Sequence, residues 1–98
     1  MPKPIIWSPL SENDFSTILE YLKENWDDKM VQGFIEITSS SLSQISNNPK
    51  QFPVINKNKK IRKCVLSKHN TLYYRDTKDS VDILRIYDNR QDPKKLLF

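Results

Sequence analysis

The hydrophobic periods along these 98 residues predict a small α+β domain: an N-terminal strand and a helical hairpin packed on an antiparallel β-meander (β-α-α-β-β-β), with a short C-terminal helical turn. Three observations predict it. Apolar residues recur at helical spacing through two stretches of the first half, the period falls to two from Ile61 onward, and the connections are short enough to make neighbouring elements antiparallel. A chain of this length has room for one domain over residues 1–98.

Pro4 to Trp7 reads as a short apolar strand, stopped by Ser8-Pro9. Ser8 is suited to cap a helix, and Pro9 fits its first turn, where a missing N–H costs nothing. Phe15, Ile18, Leu19, Leu22 and Trp26 then form one stripe, with Glu12, Glu20, Lys23 and Glu24 on the opposite face. Asp27-Asp28 supplies the next cap, and Val31, Phe34, Ile35, Thr38, Leu42 and Ile45 carry a second helix to Asn47-Asn48-Pro49. Its many serines compete for backbone hydrogen bonds, so fraying of the last turns is expected.

Pro49 to Asn58 reads as a polar loop. Three strands follow, Ile61 to Ser67, Thr71 to Arg75 and Val81 to Tyr87, joined by turns at Lys68-His69-Asn70 and Asp76 to Ser80. Lys94 to Phe98 closes the chain as a helical turn. Trp7, Phe15, Trp26 and Phe34 lie on apolar stripes and are assigned to the core, whereas Tyr73 and Tyr74, consecutive on a strand, must face opposite sides.

Charge is unevenly distributed. Residues 1–36 hold three Lys against seven acids, residues 37–75 hold eight basic residues and no acid, and residues 76–98 balance five against five. The whole net charge of +4 therefore rests on one basic block, which draws polyanions such as nucleic acid or an acidic protein segment. With 37% hydrophobic and 29% charged residues the core is lean, and a partner covering apolar surface is expected.

Cys64 is the sole cysteine, which excludes an internal disulfide and a cysteine zinc site and points to the reducing cytoplasm. Within strand periodicity it reads as a small buried residue rather than a nucleophile. No apolar run approaches the ~18 residues that span a bilayer, and the first ten residues do not form a secretion signal. His69, the single histidine, reads as a solvated turn residue. Asp76, Asp79, Asp82 and Asp88 fall in turns and on both strand faces, without the spacing of a calcium loop. No metal and no cofactor is expected.

Several segments together resemble the RelE/ParE superfamily of toxins from bacterial type II toxin-antitoxin systems. They are Trp7-Ser8-Pro9, Asn48-Pro49, Ile61-Arg62-Lys63, Lys68-His69 and Ile86 to Pro93. The ending Arg90-Gln91-Asp92-Pro93 is closer to the ParE branch. The resemblance implies the toxin of a plasmid-stabilisation type system, a growth inhibitor held by a cognate antitoxin whose acidic C-terminal segment wraps it in a hetero-oligomer. ParE-like members inhibit DNA gyrase without nuclease chemistry; RelE-like members cleave messenger RNA on the ribosome.

RNA cleavage needs a base for the 2′-hydroxyl, an acid for the leaving oxygen and cations for the phosphorane. RelE-like toxins supply them as lysines, arginines and a tyrosine. Carried over by position, Arg62 and Arg90 keep basic residues, whereas Cys64, Thr71 and Leu96 replace the others. The expected function is therefore ParE-like gyrase inhibition, with no enzymatic activity of its own. The alternatives are a ribosome-dependent mRNA interferase, with Arg62, His69 and Arg90 as catalytic candidates, or a basic binding module that has lost toxicity. Lys57, Lys59, Lys60, Arg62, Lys63 and Arg90 are the residues expected to contact target or antitoxin.

Overall fold

The first helix is fixed at its start by Ser8, whose extended backbone and Oγ cap it: the hydroxyl accepts the Ser11 N–H at 3.1 Å and donates to the Leu84 carbonyl at 3.0 Å. One side chain thus caps the helix and fastens it to a strand. The structure, a computed structural model, describes residues 2–98. Five strands, β1 (Ile5–Trp7), β2 (Val54–Asn56), β3 (Ile61–Val65), β4 (Asn70–Asp76) and β5 (Val81–Asp88), form one sheet in the order β1-β5-β4-β3-β2. Two helices, α1 (Pro9–Asn25) and α2 (Asp28–Asn47), form an antiparallel hairpin, and 3-10 turns occupy Pro49–Gln51 and Pro93–Lys95.

β1 joins the sheet parallel to β5, with Ile5 beside Val81 and Trp7 beside Ile83; the other pairings are antiparallel. The core lies between the helices and one sheet face, where Phe34, Ile45, Cys64, Leu66, Leu72, Tyr74, Val81, Ile83 and Ile86 are buried together. Burying each large apolar side chain contributes about 1.5–3 kcal/mol. Trp7, Phe15 and Phe34 continue the core through the hairpin, with ring centroids 5.4 and 5.8 Å apart in successive pairs. On the opposite face Tyr73 meets Phe98 edge-on at 5.4 Å, while the Tyr87 hydroxyl donates to the Asp92 carbonyl at 2.6 Å, so the C-terminal segment lies across β4 and β5.

Four expectations need correction. The loop assigned to Pro49–Asn58 contains a 3-10 turn and the edge strand β2. Its three residues pair irregularly with β3, Val54 beside Arg62 and Asn56 beside Ile61, and so short an edge strand, with Val54 and Ile55 both exposed, leaves no alternating pattern to read. Trp26, assigned to the core by its spacing, is 63% exposed because α1 ends one residue before it. The serine-rich end of α2 stays helical to Asn47: the Ser46 hydroxyl donates to the Lys3 carbonyl at 2.6 Å, and the Lys3 N–H returns to the Ser46 carbonyl at 3.0 Å. The C-terminal helical turn is present as a 3-10 turn, with its bounds shifted from Lys94–Phe98 to Pro93–Lys95.

Candidate functional site

The tip of the helical hairpin, the β3–β4 turn and the residues after β5 enclose a cleft of about 820 Å³. Buried Phe34 and Ile86 and half-buried Ile18 and Leu22 line it, and exposed Tyr21, Trp26, Met30 and Ile37 widen the apolar surface at its rim. Such a contiguous apolar hollow, rimmed by Lys29, Lys68, His69, Arg85 and Arg90, has the composition of a protein-docking groove. Met30 and the aromatic rings give it adaptable contact area.

Two ion pairs shape its polar edge. Asp14 of α1 receives Arg85 from β5 in a fork, Nε to Oδ2 at 2.8 Å and Nη2 to Oδ1 at 3.1 Å, and also accepts the Ile86 backbone N–H at 3.0 Å. The Asp14 hydrogen bonds push the Arg85 pKa above its ordinary value. Asp88 binds Arg90 likewise, Nε to Oδ1 at 3.0 Å and Nη2 to Oδ2 at 2.7 Å, and accepts the Arg90 backbone N–H at 2.9 Å. The Arg90 guanidinium holds the Asp88 carboxyl below the usual carboxylate range.

The turn carrying Arg90 is tied to the β3–β4 hairpin. The Asn89 N–H donates to the His69 carbonyl at 2.7 Å, and the Thr71 hydroxyl donates to Asn89 Oδ1 at 2.8 Å. Thr71, where RelE-like toxins carry an arginine, is thus a structural tie. His69 is half-buried beside Arg90 in the cleft rather than fully solvated, because the 89–91 turn folds over it. Cys64 is in the core, and burial pushes its thiol pKa up, opposite to what a nucleophile needs.

Arg62 lies elsewhere. It lines a second hollow of about 480 Å³ with Lys3, Lys50, Lys57, Lys60 and Lys78, and its Nη1 donates to the carbonyls of Lys50 at 3.1 Å and Phe52 at 2.7 Å. The three ribonuclease candidates are therefore divided, His69 and Arg90 in the apolar cleft and Arg62 in the basic hollow. Lys59 and Lys63 are exposed and line neither. The residues that sequence reasoning missed are those joined only by folding: Asp14 with Arg85, and Lys3 and Lys78 beside Lys50 and Lys57 of the basic block. The one available signal was Arg85 itself, a cation within the apolar run of β5. Among the described residues no group of three or more His, Cys, Asp or Glu is placed to hold a metal ion, and no helix is long and apolar enough to cross a membrane.

Comparison with solved structures gives the same fold in toxins. The chain superposes on a structure described as the chromosomal ParDE TA system from P. aeruginosa with a TM-score of 0.74 at 12% identity, covering 88% of this chain and 95% of that one. A YoeB/ParE toxin from Agrobacterium tumefaciens superposes at 0.63 with 9% identity, over 87% and 96% of the two chains. The YoeB dimer from Staphylococcus aureus gives 0.55 at 18% identity, over 89% and 97%. No curated protein matches the chain in sequence. The family model described as the ParE toxin of the type II toxin-antitoxin system parDE matches residues 5–93, nearly the entire length. By that match, and with the β-α-α-β-β-β-β order just described, the chain belongs to the ParE family of toxins of type II toxin-antitoxin systems.

Proposed function

We propose that this toxin arrests growth by binding DNA gyrase, without cutting RNA, and that its apolar cleft is where an antitoxin segment neutralises it. One observation carries the first half of the reading: the cations that a ribonuclease would need at a single phosphate line separate hollows, and Arg62 is committed to the backbone carbonyls of Lys50 and Phe52. In the cleft Arg90 is neutralised by Asp88, and the Tyr87 hydroxyl is committed to the Asp92 carbonyl. A scissile phosphate there would meet His69 with the Lys29 and Lys68 ammoniums, while both arginines of the cleft, Arg85 and Arg90, are already paired with acids.

The antitoxin reading rests on the cleft's exposed apolar rim, suited to the apolar face of a helix, and on the relative described as a ParDE system. The alternative, ribosome-dependent RNA cleavage, is favoured by a single feature, His69 and Arg90 in one cleft with Lys68. Purified gyrase supercoiling with added toxin decides between them, together with pulse labelling after induction. Early loss of DNA synthesis and of supercoiling supports gyrase; early loss of protein synthesis with cut messenger overturns it.

A further inference from the structure

We infer that the basic hollow is a separate binding site for the phosphate backbone of nucleic acid. Folding gathers there cations that are far apart in sequence: Lys50, Lys57, Lys60 and Arg62 from the segment around β2 and β3, and Lys78 from the β4–β5 turn. The acid among the lining residues is Asp76, and it is already paired with Lys3, whose Nζ lies 2.7 Å from Oδ1 and also donates to the Thr77 carbonyl at 2.6 Å. Four lysine ammoniums, with the carbonyl-bonded Arg62 adding its charge behind them, are left facing a hollow of about 480 Å³ with no unpaired acid among the lining residues.

The geometry keeps them together. The Arg62 fork to the Lys50 and Phe52 carbonyls fixes the 50–53 segment against β3, and the Arg75 guanidinium holds the Lys59 carbonyl at 2.9 Å, anchoring the Lys57–Lys60 turn over β4. Lys60 adopts φ 58° in the left-handed region, and its N–H bonds the Lys57 carbonyl at 3.3 Å, so the turn has a definite shape.

The lining also indicates the ligand. No aromatic side chain faces the hollow, and its apolar residue is Val54, so it has neither a platform for stacking bases nor an anchor for an apolar peptide side chain. Lysine ammoniums act as point charges that suit phosphate oxygens without requiring a bidentate partner. Recognition is therefore of charge and spacing, independent of base sequence. The apolar docking surface lies in the other cleft, which leaves the hollow free when a protein partner is seated there.

The test is fluorescence anisotropy of the full chain with two labelled 20-base-pair DNA duplexes of unrelated sequence, across a salt series. Equal affinity for the two is expected, with a slope of log K on log salt of roughly −4, the sum of about 0.9 for each of about four phosphates. The double variant Lys57→Glu/Lys78→Glu should weaken binding at least ten-fold and flatten the slope by about two, with thermal unfolding unchanged. Lys94→Glu/Lys95→Glu changes the net charge equally outside the hollow and should leave binding intact. Equal losses in the two variants, or a glutamate-rich 20-residue peptide competing as well as DNA, would overturn the site. A sequence-dependent affinity would overturn backbone recognition. These outcomes are independent of gyrase inhibition, which is read by supercoiling.

Discussion

Asp14 and Arg85 join α1 to β5 through a two-bond fork at 2.8 and 3.1 Å, and the same carboxylate caps the Ile86 N–H. Both side chains are largely shielded, at 13% and 16% exposure. Removing one partner leaves the other shielded and unpaired, which costs more than the pair contributes. Asp14→Ala should lower stability by about 2–3 kcal/mol, below the fully buried case because some water reaches the pair. Urea unfolding measures it, and in a double-mutant cycle Asp14→Ala/Arg85→Leu should recover part of the loss.

Arg90 has the opposite character, for its side chain is 58% exposed. Arg90→Ala should leave the unfolding midpoint nearly unchanged, as expected for a surface pair, while reducing growth arrest on induction if the ParE-like ending contacts the target. Unfolding midpoint and colony counts, read side by side, separate the two effects. A midpoint shift as large as that of Asp14→Ala would assign Arg90 a structural role instead.

The Asp88–Arg90 pair also sets a direction with pH. The Asp88 pKa is depressed below its ordinary 3.8 in the folded state, so the unfolded chain takes up the proton first as pH falls. The pair's contribution is fully present above about pH 4 and disappears as pH drops through the depressed value. Acid titration of Arg90→Ala should therefore converge with the unmodified chain below that range. Curves that stay parallel would contradict the pairing.

At the cleft's rim, Trp26→Glu and Met30→Asp place charge on side chains that are already exposed, so unfolding should shift by under about 0.5 kcal/mol. Affinity for the antitoxin should fall more than ten-fold, as for aromatic and apolar anchors at an interface. Titration calorimetry on the purified pair checks it, and unchanged affinity would remove the cleft from the antitoxin's path.

Ser8→Ala removes both the α1 cap and the bond to the Leu84 carbonyl, for an expected loss of about 1–2 kcal/mol. Thermal denaturation measures it, and Ser8→Thr should keep most of the stability.

The helices and the three long strands were legible because each has its own period and its own stops: Ser8-Pro9, Asp27 and Asn48-Pro49 are local chemistry. β2 was not, since three residues after a proline carry no alternation, and the pairing that defines it is supplied by β3. Trp26 shows the same limit from the other side. Its i+11 spacing is a property of an ideal helix, and only the end of α1 at Asn25 removes it from the stripe. Of the candidate site, composition exposed the basic block, but the division of its members between hollows depends on Lys3, Lys50 and Lys78, whose neighbours are made by the sheet.

The parallel alignment of β1 with β5 bears on when the toxin becomes complete. The first strand waits for the last one, and the Asp14–Arg85 fork joins residues 71 positions apart, so a chain emerging from the ribosome has neither its first pairing nor its second cleft wall until β5 is made. Long-range closure of this kind slows folding. Synthesis at roughly 5–20 residues per second then leaves the helical hairpin without its sheet for a few seconds, until β5 can close the cleft against it.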